Sequence, residues 1–370
     1  MKVYRGNGLG DIYYSLLRDI TEFGRRIVTR GHQCLELSEP VTLVYEKPGY
    51  CWMTIPGRKF NPFFALAEVA WILTGNGNVE WISYFNSRMK QFSDGGENFH
   101  GAYGLRMRHW GSGTGGAVDQ IQEVVRKLRE DSFSRQAVVS LWDPVGDNKI
   151  KSSDIPCNNL VYYTLRNGKL DQTVTMRSND LVWGTPYNAV QLTHLHALVA
   201  GMLGVEMGTF TYIINNLHYY FNLYKTTLSG LLEKAYESDA EKSGLKAVSI
   251  PSFGTVDDEG IHLLEKNCAF IAKNYQGIYS TNLDLMCPYF TGGGYWNQII
   301  PQMIWIYTVL KEKNFSNSGI VDHISERVMM LGSTLIELIL DFYQDSESVY
   351  TQAVMTQCQK AILVRTSVAD

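Results

Sequence analysis

The run PFFALAEVAWIL, residues 62–73, constrains this chain more than any other stretch of it. Asn61 can cap a helix here, and Pro62 suits its first turn, where an N–H has no helical partner anyway. Gly75 can end it. Over residues 63–73 the helix is apolar nearly all round, and a helix apolar on every side has to be covered on every side. That asks for a fold with a deep interior. A chain of 370 residues, 45% hydrophobic and 12% aromatic, can build one. Glu68 interrupts the run. A lone carboxylate on a buried helix is costly unless it has a partner or a chemical task.

Other segments read by periodicity. Residues 11–28 place Ile12, Leu16, Leu17, Ile20, Phe23 and Ile27 at helical spacing. Residues 32–55 read as strands broken at the Pro48-Gly49 turn. An amphipathic helix is expected over 117–130 and a buried strand over 136–142. Residues 159–165 and 170–176 are β-rich runs joined around Arg166-Asn167-Gly168, a strong hairpin signal. A helix from Pro186 to about Met202, a strand over 208–214 and a helix after His218 follow. Beyond this the texture changes. Residues 243–260 read as a loop, Gly292-Gly293-Gly294 as a hinge, and 299–311 and 322–363 as helices. The expected division is a main body over 1–242 and a mostly helical extension over 243–370 packed on it.

The net charge is −4, with no Lys/Arg run. A nucleic-acid coat or an anionic-membrane binder would normally be basic. No membrane or nucleic-acid partner is therefore expected, and a small phosphorylated ligand held by a few placed arginines fits better. The six cysteines form no C-x-x-C pair and suggest neither a zinc site nor a disulfide framework. His194 and His196, two positions apart on a helix, face different sides and make poor joint metal ligands. The start of the chain has no apolar run of signal-peptide length, so a cytoplasmic location is the expectation.

The chemistry concentrates in residues 154–222. Cys157 follows Pro156 at the start of a strand. Arg177, at the end of the paired strand, can bring a cation near the thiol, and with Ser178 it offers a fork and a hydroxyl suited to phosphate. Asn188 sits near the start of a helix, and His218 and Tyr220 at the start of another. Each residue alone is most simply a packing residue; together their order is informative.

That order resembles the thymidylate synthase superfamily, which includes thymidylate synthase and phage deoxypyrimidine-monophosphate hydroxymethylases. The signature is a Pro-Cys nucleophile, an Arg-Ser-x-Asp-x-x-x-Gly-x-Pro-x-Asn block about twenty residues on, then His-x-Tyr. Here these are Pro156-Cys157, Arg177-Ser178-Asn179-Asp180 with Gly184, Pro186 and Asn188, and His218 with Tyr220. Weaker matches are Arg30-Gly31, Glu68, Tyr103-Gly104 and Ser134-Arg135, so that residues from about 20 to 230 are covered.

The resemblance implies an α/β (α+β) sandwich, a mixed twisted sheet with helices on one face. The other face would pack against a second copy in a homodimer. It implies one-carbon transfer from 5,10-methylenetetrahydrofolate, as co-substrate and without a metal, to carbon 5 of a pyrimidine nucleoside monophosphate. Cys157 would add to carbon 6, Asn188 would stabilise charge on the carbonyl at position 4, and Glu68 would move protons through water. Tyr103 would lie below the active site. Arg30, Arg177, Ser178 and, across the dimer, Arg135 would hold the phosphate, and His218 and Tyr220 the sugar hydroxyl. Asp180 would face the pterin, with Gly184 beside it. An amide at position 188 matches uracil, whereas an Asp there matches cytosine.

Several positions depart from the thymidylate synthase pattern. Asn158 stands where His is usual, Met176 where Gln is, Gln136 where a second Arg is, and Asn216 where Asp is. Phe92 is the nearest aromatic to a missing shielding tryptophan, and the closing tail is not recognisable in ILVRTSVAD. Loss of the shield and tail leans toward water, and so toward a hydroxymethyl product, or toward a closing element supplied by the helical last third. Methylation of dUMP to dTMP is nevertheless kept first as the commoner activity, with hydroxymethylation as the alternative. The alternatives from other classes are a non-catalytic nucleotide-binding member of the fold and a nucleic-acid-binding regulator. The intact Cys157, Arg177, Asn188 and Glu68 argue against the first, the charge against the second.

Overall fold

The structure, a computed structural model, describes residues 1–53, 55, 58–111, 116–237, 266, 295–312, 328, 331, 333–346 and 349–366. Its centre grows out of the hairpin foreseen at Asn167-Gly168. Both residues take positive φ, 51° and 75°, as a two-residue turn that matches strand twist requires. They join β6 (Asn158–Arg166) to β7 (Lys169–Met176). These strands belong to a six-stranded sheet in the order β1 (Lys2–Gly6), β4 (Val41–Tyr45), β9 (Glu206–Ile214), β7, β6, β5 (Val138–Ser140). The pairs β1–β4 and β7–β9 are parallel and the rest antiparallel, so the sheet is mixed. Alternation along each strand gives it two faces. Val161, Tyr163, Gln172, Val174, Phe210 and Tyr212 are buried on one. Tyr162, Thr173, Thr175, Thr211 and Ile213 are only half-buried on the other.

A second sheet corrects the expectation of a single one. It has four strands in the order β2 (Arg25–Thr29), β3 (His32–Glu36), β10 (Leu217–Tyr220), β8 (Asn179–Asp180). Two sequence readings change with it. The helix expected over 11–28 is α1 (Leu9–Phe23). It stops there because Gly24 turns extended, and Ile27 pairs with Cys34 in a strand. The helix expected to begin at His218 is β10 instead, and α7 (Lys225–Tyr236) starts later. Pairing of His218 with Glu36, and of Tyr220 with Cys34, decides the matter. Aromatic residues suit strands, and here a partner strand is at hand.

The helix over 62–73 forms as its sequence dictates. In α2 (Pro62–Leu73) the Asn61 side-chain oxygen accepts the Phe64 N–H at 3.0 Å, and every residue except Glu68 is buried. Burial of Phe63, Leu66 or Ile72 contributes about 1.5–3 kcal/mol each. Part of the cover is α6 (Gly184–Leu203), itself buried along nearly its whole length. Around them lie α3 (Val79–Phe85), α4 (Tyr103–Arg108) and α5 (Gln120–Glu130), the last capped by Asp119. Gly104 lets α4 approach α2 closely, since a Cβ there would stand 2.7 Å from the Ile72 carbonyl oxygen. That approach sets Tyr103 beside the helix that carries Glu68.

Of the carboxyl-terminal region, α8 (Tyr295–Glu312), α9 (Ser333–Tyr343) and α10 (Val349–Thr366) are described. The division expected at 242/243, the loop over 243–260 and the Gly292-Gly293-Gly294 hinge lie outside the described residues. The Phe63 ring of α2 meets Tyr307 of α8 at 5.4 Å, and Phe342 and Tyr343 of α9 at 6.3 and 5.9 Å. The Tyr307 hydroxyl donates to the Phe85 carbonyl at 3.2 Å. Among the described residues no helix is long and apolar enough to cross a membrane.

Candidate active site

The site forms where β6 begins and β7 ends. Cys157 immediately precedes β6, and Arg177 immediately follows β7; the Arg177 N–H donates to the Cys157 carbonyl at 3.0 Å. The Arg177 side chain then folds over the loop that ends at Cys157. Its Nε donates to the Pro156 carbonyl at 2.8 Å, its Nη2 to the Ile155 carbonyl at 2.7 Å, and Nη2 lies 3.6 Å from the Cys157 Sγ. From below, the Tyr103 hydroxyl accepts the N–H groups of Cys157 and Asn158 at 3.2 and 3.3 Å. Burial holds the Cys157 thiol above its ordinary pKa, while the Arg177 and Arg30 cations pull it down. The thiol is thus poised between a low-dielectric pocket and two cations.

Arg30 is exposed in the turn between β2 and β3, at φ 50°. Its charge acts on Cys157, His218 and Tyr220 alike. Ser178 is half-buried between β7 and β8. His218 is oriented by a relay that the sequence does not announce. The Glu36 carboxylate, paired with Arg25, accepts from the Asn216 Nδ2 at 2.6 Å. A carboxylate only accepts, so the amide orientation is set and Asn216 Oδ1 faces His218 Nδ1 at 2.9 Å. The ring proton is then on Nδ1, leaving Nε2 as an acceptor for a hydroxyl. Burial lowers the His218 pKa against the pull of Asp180, which favours the neutral ring.

Glu68 on α2 meets α6, the helix that carries Asn188, through Gln191. Gln191, one turn beyond Asn188, hydrogen-bonds Glu68, whose Oε2 is buried without a partner. Burial pushes the Glu68 carboxyl up to about 8 despite that bond. Asn188 donates through Nδ2 to the Asn179 Oδ1 at 3.2 Å. Gly184 allows this, because a Cβ there would stand 2.8 Å from the same oxygen. Asp180 Oδ1 accepts the N–H groups of Val182 and Trp183 at 2.9 and 3.2 Å, and its Oδ2 accepts the Tyr224 hydroxyl at 2.8 Å. Burial raises the Asp180 pKa, with His218 opposing.

Arg135 stands apart. It is exposed on the segment before β5, near the 87%-exposed Phe133, and makes no hydrogen bond or ion pair among the described residues. The position usually held by His is used structurally: Asn158 is fully buried and accepts the Tyr212 hydroxyl at 2.7 Å, tying β6 to β9. Among the described residues no group of three or more His, Cys, Asp or Glu could hold a metal ion. In the sequence Asn179 stands out only within the motif and Asn216 only as a departure from it, with no role for either, and Gln191, Tyr224 and Glu36 are not singled out. Of these last three, Gln191 left a local signal, three positions after Asn188 and so on the same helix face.

Tyr103→Phe is expected to lower kcat about ten- to a hundredfold, because two amides lose the oxygen that fixes the nucleophile's backbone. Nucleotide affinity should change little. Single-turnover kinetics with a separate binding titration checks this; an unchanged kcat would mean that the hydroxyl does not place Cys157.

Residues 11–253 match the family described as thymidylate synthase. The chain is 35% identical over 248 residues to a deoxyuridylate hydroxymethyltransferase of Bacillus phage SP01, which covers 65% of this chain and 64% of that protein. It is 37% identical over 223 residues to one of Pseudomonas phage M6, covering 60% and 62%. It is 33% identical over 180 residues to one of Delftia phage PhiW-14, covering 45% and 48%. The chain thus spans less than two thirds of the length of these curated relatives. The family match takes in the Cys157 loop, Arg30 and Arg177, the Glu68 helix and the relay at His218, and it spans more than half of the chain, which therefore belongs to the thymidylate synthase family.

Proposed function

We propose that this protein adds a one-carbon unit from 5,10-methylenetetrahydrofolate to carbon 5 of dUMP, with 5-hydroxymethyl-dUMP as the product. The observation that carries the chemistry is the nucleophile cradle, with Cys157 Sγ 3.6 Å from an Arg177 cation and its N–H held by Tyr103. The Cys157 thiolate adds to carbon 6 of uracil, and the resulting enolate makes carbon 5 nucleophilic. Asn188, with Nδ2 already directed at Asn179, can donate its second amide proton to the carbonyl at position 4 and accept from the N–H at position 3. Carbon 5 bonds to the folate methylene, a proton leaves carbon 5, and the folate departs. Glu68 is the group for these proton transfers. A carboxyl with a pKa near 8 holds and releases protons at neutral pH.

The last step separates two products. Water adding to the exocyclic methylene gives hydroxymethyl and leaves tetrahydrofolate; hydride from the folate gives methyl and dihydrofolate. In either case the enolate electrons then expel the Cys157 thiolate from carbon 6, restoring the ring double bond and freeing the product. Sequence alone placed methylation first. The names of the three relatives, with the shielding tryptophan missing, favour water and reverse that order. Arg30, Arg177 and Ser178 would bind the phosphate, and His218 Nε2 with Tyr220 the 3′-hydroxyl. Asp180 and Gly184 would border the folate. Trp183, partly exposed next to them, offers a ring face for the pterin, with Arg88 over that ring at 5.1 Å.

Mass spectrometry of the nucleotide after incubation with dUMP and methylenetetrahydrofolate tests the reading. Gain of CH2O without absorbance from dihydrofolate is expected, and no product from dCMP. Gain of CH2 with dihydrofolate formed would make the methyl reading the correct one.

A homodimer is part of the proposal. The half-buried sheet face, with Tyr162 and Ile213 among threonines, and the exposed Phe133 support it. Arg135 would then serve the partner's phosphate site. Heterodimers of a Cys157→Ala chain and an Arg135→Ala chain should carry one intact site and recover up to about half of parental activity, by symmetry. Proven heterodimers with no recovery would refute a shared site.

A further inference from the structure

The carboxyl-terminal helices do more than cover α2. On α9, Asp341 Oδ2 accepts the Lys59 backbone N–H at 2.8 Å, and in the turn just after α9 Asp345 pairs with the Lys59 ammonium. Lys59 is held at φ 52°, a conformation that non-glycine residues rarely adopt. It persists where neighbouring bonds over-determine it, and the Asp341 carboxylate supplies such a bond. Its neighbour Arg58 is buried, and its Nη2 donates to the Val182 carbonyl at 2.5 Å. The next residues are committed to the same place: the Phe60 ring stacks on Tyr187 at 4.5 Å, and the Asn61 N–H donates to the Tyr187 hydroxyl at 3.2 Å. Residues 58–61 therefore link α9 on one side to the start of α6 on the other.

Val182 lies in the turn that leads from β8 into α6. Within that turn the N–H groups of Val182 and Trp183 point to Asp180. A continuous path runs from Asp341 and Asp345 through Lys59 and Arg58 to the residues that, on the functional reading above, border the folate.

We infer that the carboxyl-terminal helices brace the folate side of the site: Asp341 and Asp345 hold Lys59, and Arg58 beside it holds the Val182 carbonyl in the turn that presents Asp180 and Trp183. The four are positioning residues and touch no reacting atom. The inference rests on the functional reading only for the identity of the ligand at that turn. Its mechanical part stands without any ligand. Loss of Asp341 leaves the strained Lys59 N–H without this acceptor, Arg58 loses its fixed backbone, and the turn loosens while the nucleophile side keeps its own bonds.

The test is amide hydrogen exchange on the full chain without substrates, comparing the parent with Asp341→Ala, Asp341→Asn and Asp345→Asn. For Asp341→Ala, exchange at residues 182 and 183 should quicken about tenfold or more, with β6 and β7 unchanged. Asp341→Asn keeps an acceptor oxygen and should show a smaller rise, as should Asp345→Asn, which removes only the exposed ion pair. Adding Lys59→Gly to Asp341→Ala should recover part of the protection, because glycine adopts positive φ without strain. In turnover assays Asp341→Ala should raise KM for methylenetetrahydrofolate about tenfold and leave dUMP affinity within about twofold.

Unchanged exchange at 182 and 183 in a folded variant would overturn the brace. So would faster exchange spread evenly over the chain, which would mark a contribution to stability alone. If Asp341→Ala does not fold, Asp345→Asn carries the same two outcomes. Quickened exchange at the turn with no product from dUMP in the parent would leave the brace standing and sink only the functional reading.

Discussion

On the proposed chemistry, Cys157→Ala should abolish product formation, a loss on the order of 10⁴-fold or more, because the ring carbon would then have no nucleophile. Nothing else in the cradle depends on the sulfur. Arg177 keeps its bonds to the Ile155 and Pro156 carbonyls, and Tyr103 keeps both amides. The variant should therefore fold and bind dUMP as the parent does. A thiol held above its ordinary pKa by burial also predicts a pH profile. Parental kcat/KM should rise with pH through the neutral and mildly alkaline range as the thiolate fraction grows. Calorimetric titration with dUMP and a rate–pH series check both. Residual turnover in Cys157→Ala above one part in about a thousand of the parental rate would remove Cys157 from the mechanism.

Glu68→Gln should move activity and stability in opposite directions. Activity should fall by about 10²–10⁴-fold with loss of the proton carrier. Stability should rise. In the unfolded chain the carboxyl ionises near its ordinary value of 4.5, and in the fold burial holds the proton on to about 8. Between those values the folded state binds more protons than the unfolded one, so parental stability drains away as pH rises through that window. Glutamine does not titrate. The variant should gain little at pH 5 and on the order of 2–4 kcal/mol near pH 8, where the parent must hold a proton that water would take. Urea midpoints at the two pH values measure the gain. A gain that does not grow with pH would mean that Glu68 is already ionised in the fold.

Both predictions concern residues that were legible in the sequence, and for the same reason. Glu68 stood out because the eleven other residues of its helix are buried. Cys157 stood out because its spacing from Arg177 resembles a family motif, and a hairpin foreseen from Asn167-Gly168 brings the ends of β6 and β7 together. Their placement follows from local rules acting over a few residues, namely a cap, a turn and a periodicity. Arg135 was legible as a motif residue, yet within one chain it lies away from the others. Its proposed role needs a second copy.

Where sequence failed, the deciding partner was far away. His218 and Tyr220 were expected on a helix; the partner strand that makes them a strand, Cys34–Glu36, lies some 180 residues earlier. Ile27 continued a helical pattern, and pairing with Cys34 claimed it for the same small sheet. Nothing in the local sequence singles out Arg58 and Lys59. Asp341 and Val182, 282 and 124 residues distant, make them a link. The sequence by itself thus determined the buried helix with its single carboxylate, the central hairpin and the family. These rest on short-range hydrogen bonding and on the period of apolar residues. Tertiary structure alone decided the second sheet, the tautomer of His218 and the hold of the carboxyl-terminal helices on the site. Each of these is a contact between groups far apart in the chain, made only once burial has brought them within hydrogen-bonding range.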